Sequence, residues 1–186
     1  LQVVGEKIIR VQATNEMSFK PKKSLIIVPQ TANPHYQVTE KAGKVIVSTA
    51  AMKAIVEAKT GRIAFYSHEG KPLLSESKSG GKTIVPFKVP SREIGADSHL
   101  SEEQLQGVSW HALFDSPKDE AFYGLGQHQA EELNMKGKNE ELYQYNTKVS
   151  IPFVISNKNY GVLWDSYSFC RFGNPEDYMQ LNRAFT

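Results

Sequence analysis

The clearest local signal in the chain runs from Val45 to Leu74, where Met52, Ala54, Val56 and Ala58 alternate with Lys53, Glu57 and Lys59. Successive side chains of a strand point to opposite faces, whereas a helix returns to one face about every 3.6 residues, so this spacing predicts half-covered strands. Thr60-Gly61 is the first turn, Ile63 to Tyr66 returns, and His68-Glu69-Gly70-Lys71 turns the chain again before Leu73 and Leu74. The stretch reads as a β-meander. No helical period of comparable length competes with it.

Shorter signals of the same kind flank it. Val3 to Val11 reads as one early strand, Leu25 to Val28 as a short buried strand ended by Pro29, and Tyr36 to Thr39 as a further strand after the Asn33-Pro34 turn. Ser75 to Lys82, rich in Ser, Gly and Lys, reads as an exposed loop without core-forming capacity. Thr83 to Val89 is a strand whose Pro86 lacks an N–H to donate, which assigns it to an edge or a bulge. Ser101-Glu102-Glu103-Gln104 has the form of a Ser-capped helix start, cut short by Gly107. Val108 to Phe114 alternates again and leads through Ser116-Pro117 into Phe122-Tyr123-Gly124-Leu125-Gly126-Gln127-His128-Gln129.

In that segment Gly124 and Gly126 fit a backbone that bends where it passes close to another. A dinucleotide fingerprint would need a third glycine where Gln129 stands, so the reading is a tight bend at the end of a strand, with His128 in a structural hydrogen bond. Ala130 to Gly137 turns polar, Glu140-Glu141 follows, and the next strand begins near Tyr143. A connection of about 10 residues exceeds a typical hairpin loop and is a functional candidate. From Ile151 to Phe169, Phe153, Ile155, Val162, Leu163 and Trp164 are apolar on both parities, the pattern of strands covered on both faces.

A chain of 186 residues, 40% hydrophobic and 10% aromatic with a formal charge of +2, has the composition of a soluble globular domain. One domain of this size buries roughly 70% of the surface its unfolded chain exposes. No run of 18 apolar residues occurs, so no membrane partner is expected. Lys and Arg are dispersed, with Lys20-Pro21-Lys22-Lys23 the densest cluster, which argues against a nucleic-acid partner.

The five histidines, His35, His68, His99, His111 and His128, lack metal-ligand spacing, so neither metal nor cofactor is expected. Cys170, the one cysteine, lies among aromatics and reads as a packed thiol. No Gly-x-Ser-x-Gly elbow occurs. The adjacent carboxylates Glu102-Glu103, Glu131-Glu132 and Glu140-Glu141 read as surface residues rather than as the acid and nucleophile of a hydrolase. Trp164, Tyr167, Phe169 and Phe172 could stack on sugars, but as strand residues they read as core. No catalytic residue is assigned.

Three motifs stand in order: Tyr123-Gly124-Leu125-Gly126-Gln127-His128-Gln129, Ile151-Pro152-Phe153-Val154-Ile155-Ser156, and Asn159-Tyr160-Gly161-Val162-Leu163-Trp164-Asp165. Together they resemble the N-terminal domain of glycoside hydrolase family 31, nearest to its bacterial α-xylosidases, specifically over the second half of the chain and by strand pattern before it. The resemblance implies an all-β fold, an antiparallel galactose-mutarotase-like β-sandwich over residues 1–186. It implies an accessory domain of a retaining α-glycosidase of carbohydrate metabolism. In that family the two catalytic aspartates lie in a (β/α)8 barrel downstream, so the fragment alone is expected to be inactive and its partner to be the barrel of the same polypeptide. A loop near that barrel's mouth would fall within Lys138 to Lys148, with Gln144, Tyr145 and Asn146 reaching furthest and Glu140 and Glu141 as acidic candidates.

The alternative is a stand-alone carbohydrate-binding sandwich. A working mutarotase would need a His and a Glu paired on one sugar, and no pair singles itself out. The start at Leu1 without a visible leader reads as a fragment of a longer, processed polypeptide, periplasmic or secreted in a bacterium.

Overall fold

The computed structural model describes residues 1–19, 23–28, 33–88, 106–129 and 132–173. Among them the regular elements are β-strands. The chain divides into two compact units, Leu1–Lys82 with Ala112–Ser116, and Thr83–His111 with Pro117–Thr186.

The first unit opens with a hairpin, β1 (Gln2–Gly5) against β2 (Ile8–Arg10), rather than the single strand expected over Val3 to Val11. A bulge between Val3 and Gly5 lets the chain turn at Glu6 and Lys7. Leu25 to Val28 forms no strand: Leu25 is 79% and Val28 75% exposed. Four apolar residues in a row need a covering layer to become a buried strand, and the described residues supply none there.

The alternating stretch then folds as expected. Strands β3 (Gln37–Lys41), β4 (Lys44–Ser48), β5 (Met52–Glu57), β6 (Ile63–Ser67) and β7 (Pro72–Glu76) form an antiparallel meander, to which β10 (Phe114–Asp115) adds along β7. Its core is Val47, Ala54 and Ile63, with Val3, Ile9, Val56 and Phe65 packed around them. Val47 and Ala54 are register partners, so the buried parity of one strand faces that of the next. Thr49, also buried, fastens the hairpin: its Oγ1 donates to Glu6 O at 2.6 Å and accepts from Met52 N at 3.1 Å.

Ser75 to Lys82 is not the exposed loop its composition suggested. Ser75 and Glu76 complete β7, and Glu76 is buried. A carboxylate is tolerated inside only when charge and hydrogen bonds meet it. Here Lys82 Nζ lies 2.5 Å from Oε2, and Ile63 N donates to the same oxygen at 3.0 Å. Arg62 Nε meanwhile donates to the Glu76 carbonyl at 2.7 Å.

In the second unit β8 (Lys82–Lys88) and β9 (Gln106–Ala112) form a two-stranded sheet, so Pro86 does sit in a strand at an edge. The proposed helix start at Ser101 to Gln104 lies outside the described residues. A three-stranded sheet follows in the order β11 (Phe122–Gln127), β13 (Val149–Ser156), β14 (Tyr160–Leu163). A separate pair joins β12 (Glu140–Leu142) to β15 (Cys170–Phe172). Leu125, Met135, Leu142 and Val154 form the core, with Phe122, Val162, Cys170 and Phe172 against it. Met135 shows that the polar stretch after Gln129 is more than a solvated loop.

The glycine bend lies within β11, not at its end. The register with β13 shifts between Gly124 and Gly126, and Gly124, Leu125 and Gly126 all have positive φ, at 128°, 69° and 99°. This bulge turns Leu125 inward. A Cβ on Gly124 would stand 2.6 Å from Phe153 O, and one on Gly126 2.0 Å from Val149 O, so no side chain fits at either place.

The expectation of cover on both faces from Ile151 to Phe169 is overturned. Along β13, Pro152, Val154 and Ser156 are buried or half-buried, whereas Val149, Ile151, Phe153 and Ile155 are 46, 49, 38 and 50% exposed. Apolar residues on both parities show that both faces avoid water in composition; they do not supply the second cover.

Candidate functional site

Within Lys138 to Lys148, the chain is held more firmly than a free loop. Glu140–Leu142 is strand, earlier than the start near Tyr143 read from the sequence, and a tight turn follows in which Lys148 N donates to Tyr145 O at 3.0 Å. Lys148 folds back beneath that turn. Its Nζ lies 3.0 Å from Glu140 Oε2 and donates to Glu141 O at 2.5 Å. Its side chain is only 11% exposed and that of Glu140 16%.

His128, carried out of β11 just after the bulge, joins the same carboxylate. Its Nε2 donates to Leu125 O at 2.6 Å, since a carbonyl can only accept. Nδ1 is left 3.2 Å from Glu140 Oε2 and not aligned for a hydrogen bond, a contact that is ionic only with a protonated imidazole. Glu141, on the opposite parity of β12, is met by Arg171 Nη2 at 3.5 Å from its register partner on β15. These adjacent glutamates are therefore half-buried and cation-paired, not solvated as their place in a polar stretch suggested.

With its ions turned inward, the segment turns aromatic rings outward. Tyr143 and Tyr145 stack with centroids 5.1 Å apart, and both are exposed. Phe169 tilts against Tyr143 at 5.6 Å. Lys148 Nζ lies 5.7 Å from the Tyr143 ring centre and the Arg171 guanidinium 5.2 Å from that of Phe169, so cations hold the stack from within. Gln144 is committed to the frame, since its Oε1 accepts from Ser150 N at 3.1 Å. Asn146 is exposed at the tip.

Beside the stack, an open cavity of about 240 Å³ is lined by Tyr143, Gln144, Tyr167, Phe169 and Cys170 among others. Rings, hydroxyls and an amide around a cavity are the chemistry that recognises a sugar face and its hydroxyl groups. Tyr167 and Trp164 are exposed rather than core, because the segment after β14 leaves the sheet; Phe172 alone of the four aromatics packs in a strand. Burial raises the pKa of the Cys170 thiol, which keeps it protonated. Among the described residues no three His, Cys, Asp or Glu side chains come together as a ligand set.

One polar centre gave no sequence signal. Glu120 is buried, and its Oε1 accepts from Ser156 Oγ and Tyr160 Oη, both at 2.6 Å. Burial first, and Glu120 second, raise the Tyr160 pKa well above its ordinary value. Next to it, Asn157 in the β13–β14 turn accepts from Ala121 N at 3.0 Å and donates to Asp119 O at 3.1 Å. Lys158 pairs with the Asp119 carboxylate. This cluster anchors the entry into β11; a lone Glu after Asp119 carries no period or spacing by which to find it.

Residues 1–172 match the family model described as the glycosyl hydrolase 31 N-terminal galactose mutarotase-like domain. An uncharacterised family 31 glucosidase of Pseudescherichia vulneris is 28% identical over 176 residues, 89% of this chain and 32% of that protein. An α-xylosidase of Saccharolobus solfataricus is 26% identical over 177 residues, 90% of this chain and 22% of that protein. The crystal structure of a family 31 α-xylosidase from Xanthomonas citri superimposes with a TM-score of 0.70 at 37% identity, covering 82% of this chain and 15% of that one. The chain thus spans a third or less of the relatives it matches.

Proposed function

The chain belongs to the N-terminal galactose mutarotase-like domains of glycosyl hydrolase 31, and from that premise we propose that it serves as the accessory domain of a retaining α-glycosidase acting on α-xylosides. Residues 1–186 form that domain, which packs on a catalytic barrel of the same polypeptide and lends its Tyr143-to-Lys148 turn to the substrate entrance. The α-xylosidases among its relatives, and the small share of their length that it spans, support this reading.

The observation that carries the role of the turn is the stacked, exposed pair Tyr143 and Tyr145 on an inward-facing ionic frame. A sugar is bound with less loss of entropy by rings already fixed in place. Gln144, held by Ser150, and exposed Asn146 supply amide groups beside them, whereas Glu140 and Glu141 act through the frame rather than on substrate. Gly124, Gly126 and His128 support it from β11.

The test compares aryl α-xyloside hydrolysis by the 186-residue chain with that by the complete polypeptide of its gene. No turnover is expected from the chain alone, and Tyr145→Ala in the complete polypeptide should raise KM several-fold with a smaller change in kcat. Turnover by the repurified chain would overturn the assignment. The cavity beside Tyr143 favours a second reading, a self-sufficient carbohydrate-binding module. Titration with xyloglucan oligosaccharides separates the two: tight saturable binding by the chain alone supports the module, and millimolar or no binding supports the accessory domain.

A further inference from the structure

The three-stranded sheet has a second face that its own core does not use. By register, Tyr123 stands opposite Ile155 and Phe153 opposite Leu163, with Ile151 and Val149 continuing the row along β13. All six are between 38 and 50% exposed. The remaining outward positions are Gln127, beside Val149, and Gly161, beside Ile155, so among the described residues none of this face's strand positions is charged. Gly161 leaves room that Phe153 fills: a Cβ there would meet the Phe153 ring at 3.0 Å. The result is a pleated apolar surface, where a solvent-facing antiparallel sheet ordinarily alternates to polar residues.

We infer that this face is the docking surface of the domain for the catalytic part of the same polypeptide, an inference that rests on the functional reading above. A face without cations does not hold nucleic-acid or lipid phosphates. It fits the apolar side of another protein layer, the usual way a sheet face is covered. The relatives carry about twice this chain's length or more beyond the matched part, since it spans 32% of one and 22% of another. A layer tethered in the same chain meets the face at an effective concentration near millimolar, which a second copy does not reach at ordinary protein concentrations.

Cysteine labelling tests this. Ile155→Cys, or Ile151→Cys should the first disturb folding, is introduced with Cys170→Ser into both the 186-residue chain and the complete polypeptide of its gene. Glu40→Cys on β3 and Tyr145→Cys in the turn are companion probes. Maleimide should modify Ile155→Cys and Glu40→Cys at similar rates in the chain alone. In the complete polypeptide the Ile155→Cys rate should fall at least tenfold, with that of Glu40→Cys unchanged.

An unprotected Ile155→Cys in the complete polypeptide overturns the inference. If Tyr145→Cys is protected there, the accessory-domain reading survives alone; if neither is protected, or if the gene product ends with this chain, both fall. Slow labelling of Ile155→Cys in the chain alone also overturns it. Concentration-dependent slowing would identify a second copy as the occupant, and concentration-independent slowing would show the face covered within the chain.

Discussion

The meander of the first unit and the β11-β13-β14 sheet of the second are both antiparallel, yet parity means different things in them. In β5, Lys53 and Glu57 stand on the parity opposite Ala54 and Val56, interrupted by Ile55, and Ala54 is 0% exposed. In β13 both parities are apolar, and only one is covered: Val154 lies in the core while Ile155 is half exposed. Alternation, interrupted in the meander at Ile55 and its buried partner Ala64, therefore reports a second face that carries charge. Its absence reports a second apolar surface, and the cover for it must be sought elsewhere. The units also share a device, a carboxylate drawn inward by a lysine from several residues away, Glu76 by Lys82 and Glu140 by Lys148.

The largest effect should come from the bulge that sets the register of the second sheet. Gly126→Ala would place a Cβ 2.0 Å from Val149 O at a φ of +99°, and should cost about 3 kcal/mol in urea unfolding. A cost under about 1 kcal/mol would mean that the bulge relocates and the register is not pinned there.

Next comes the buried ion pair of the first unit. Breaking a fully buried pair costs about 3 to 5 kcal/mol, and Lys82 is a quarter exposed, so Glu76→Gln should cost about 2 kcal/mol. A neutral result would show that Lys82 is solvated when its partner is lost.

A matched pair of substitutions tests the contrast itself. Ala54→Leu forces volume into a closed position and should lose about 1 to 3 kcal/mol, whereas Ile155→Thr on the open face should stay within about 0.5 kcal/mol. Equal costs would erase the distinction between the two sheets.

The smallest expected effect is at high pH. Burial and Glu120 raise the Tyr160 pKa, so the fold prefers the protonated hydroxyl. That contribution is complete below the ordinary tyrosine value of about 10 and is lost as pH rises through the folded one. Thermal scans at rising alkaline pH should show the wild-type Tm falling more steeply than that of Tyr160→Phe, and parallel curves would remove the hydroxyl from the account.

Much of the fold was legible because strand parity is local. Met52 to Leu74 states its own period, and Gly61 and Gly70 mark its turns. Val3 to Val11 failed because Gly5 alone, without Pro, Asn or Asp beside it, announces the hairpin that turns at Glu6 and Lys7. Leu25 to Val28 failed because a short apolar run states hydrophobicity and not cover. Within Lys138 to Lys148, a turn at Tyr145 to Lys148 was legible from the motifs around it, whereas the strand from Glu140 was not. The inward roles of Glu140 and Glu141 were not: adjacent glutamates look the same in sequence whether cations or water meet them.

What the sequence determined by itself was the class of structure and the family, since periodicity, glycine placement and the three motifs are carried by neighbouring residues. Only the tertiary structure decided which carboxylates are buried and which side of β13 is left open. The energy of each is set by groups remote in the chain: Lys148 makes Glu140 tolerable inside, and Leu125, Met135 and Leu142 cover Val154 but leave Ile155 uncovered.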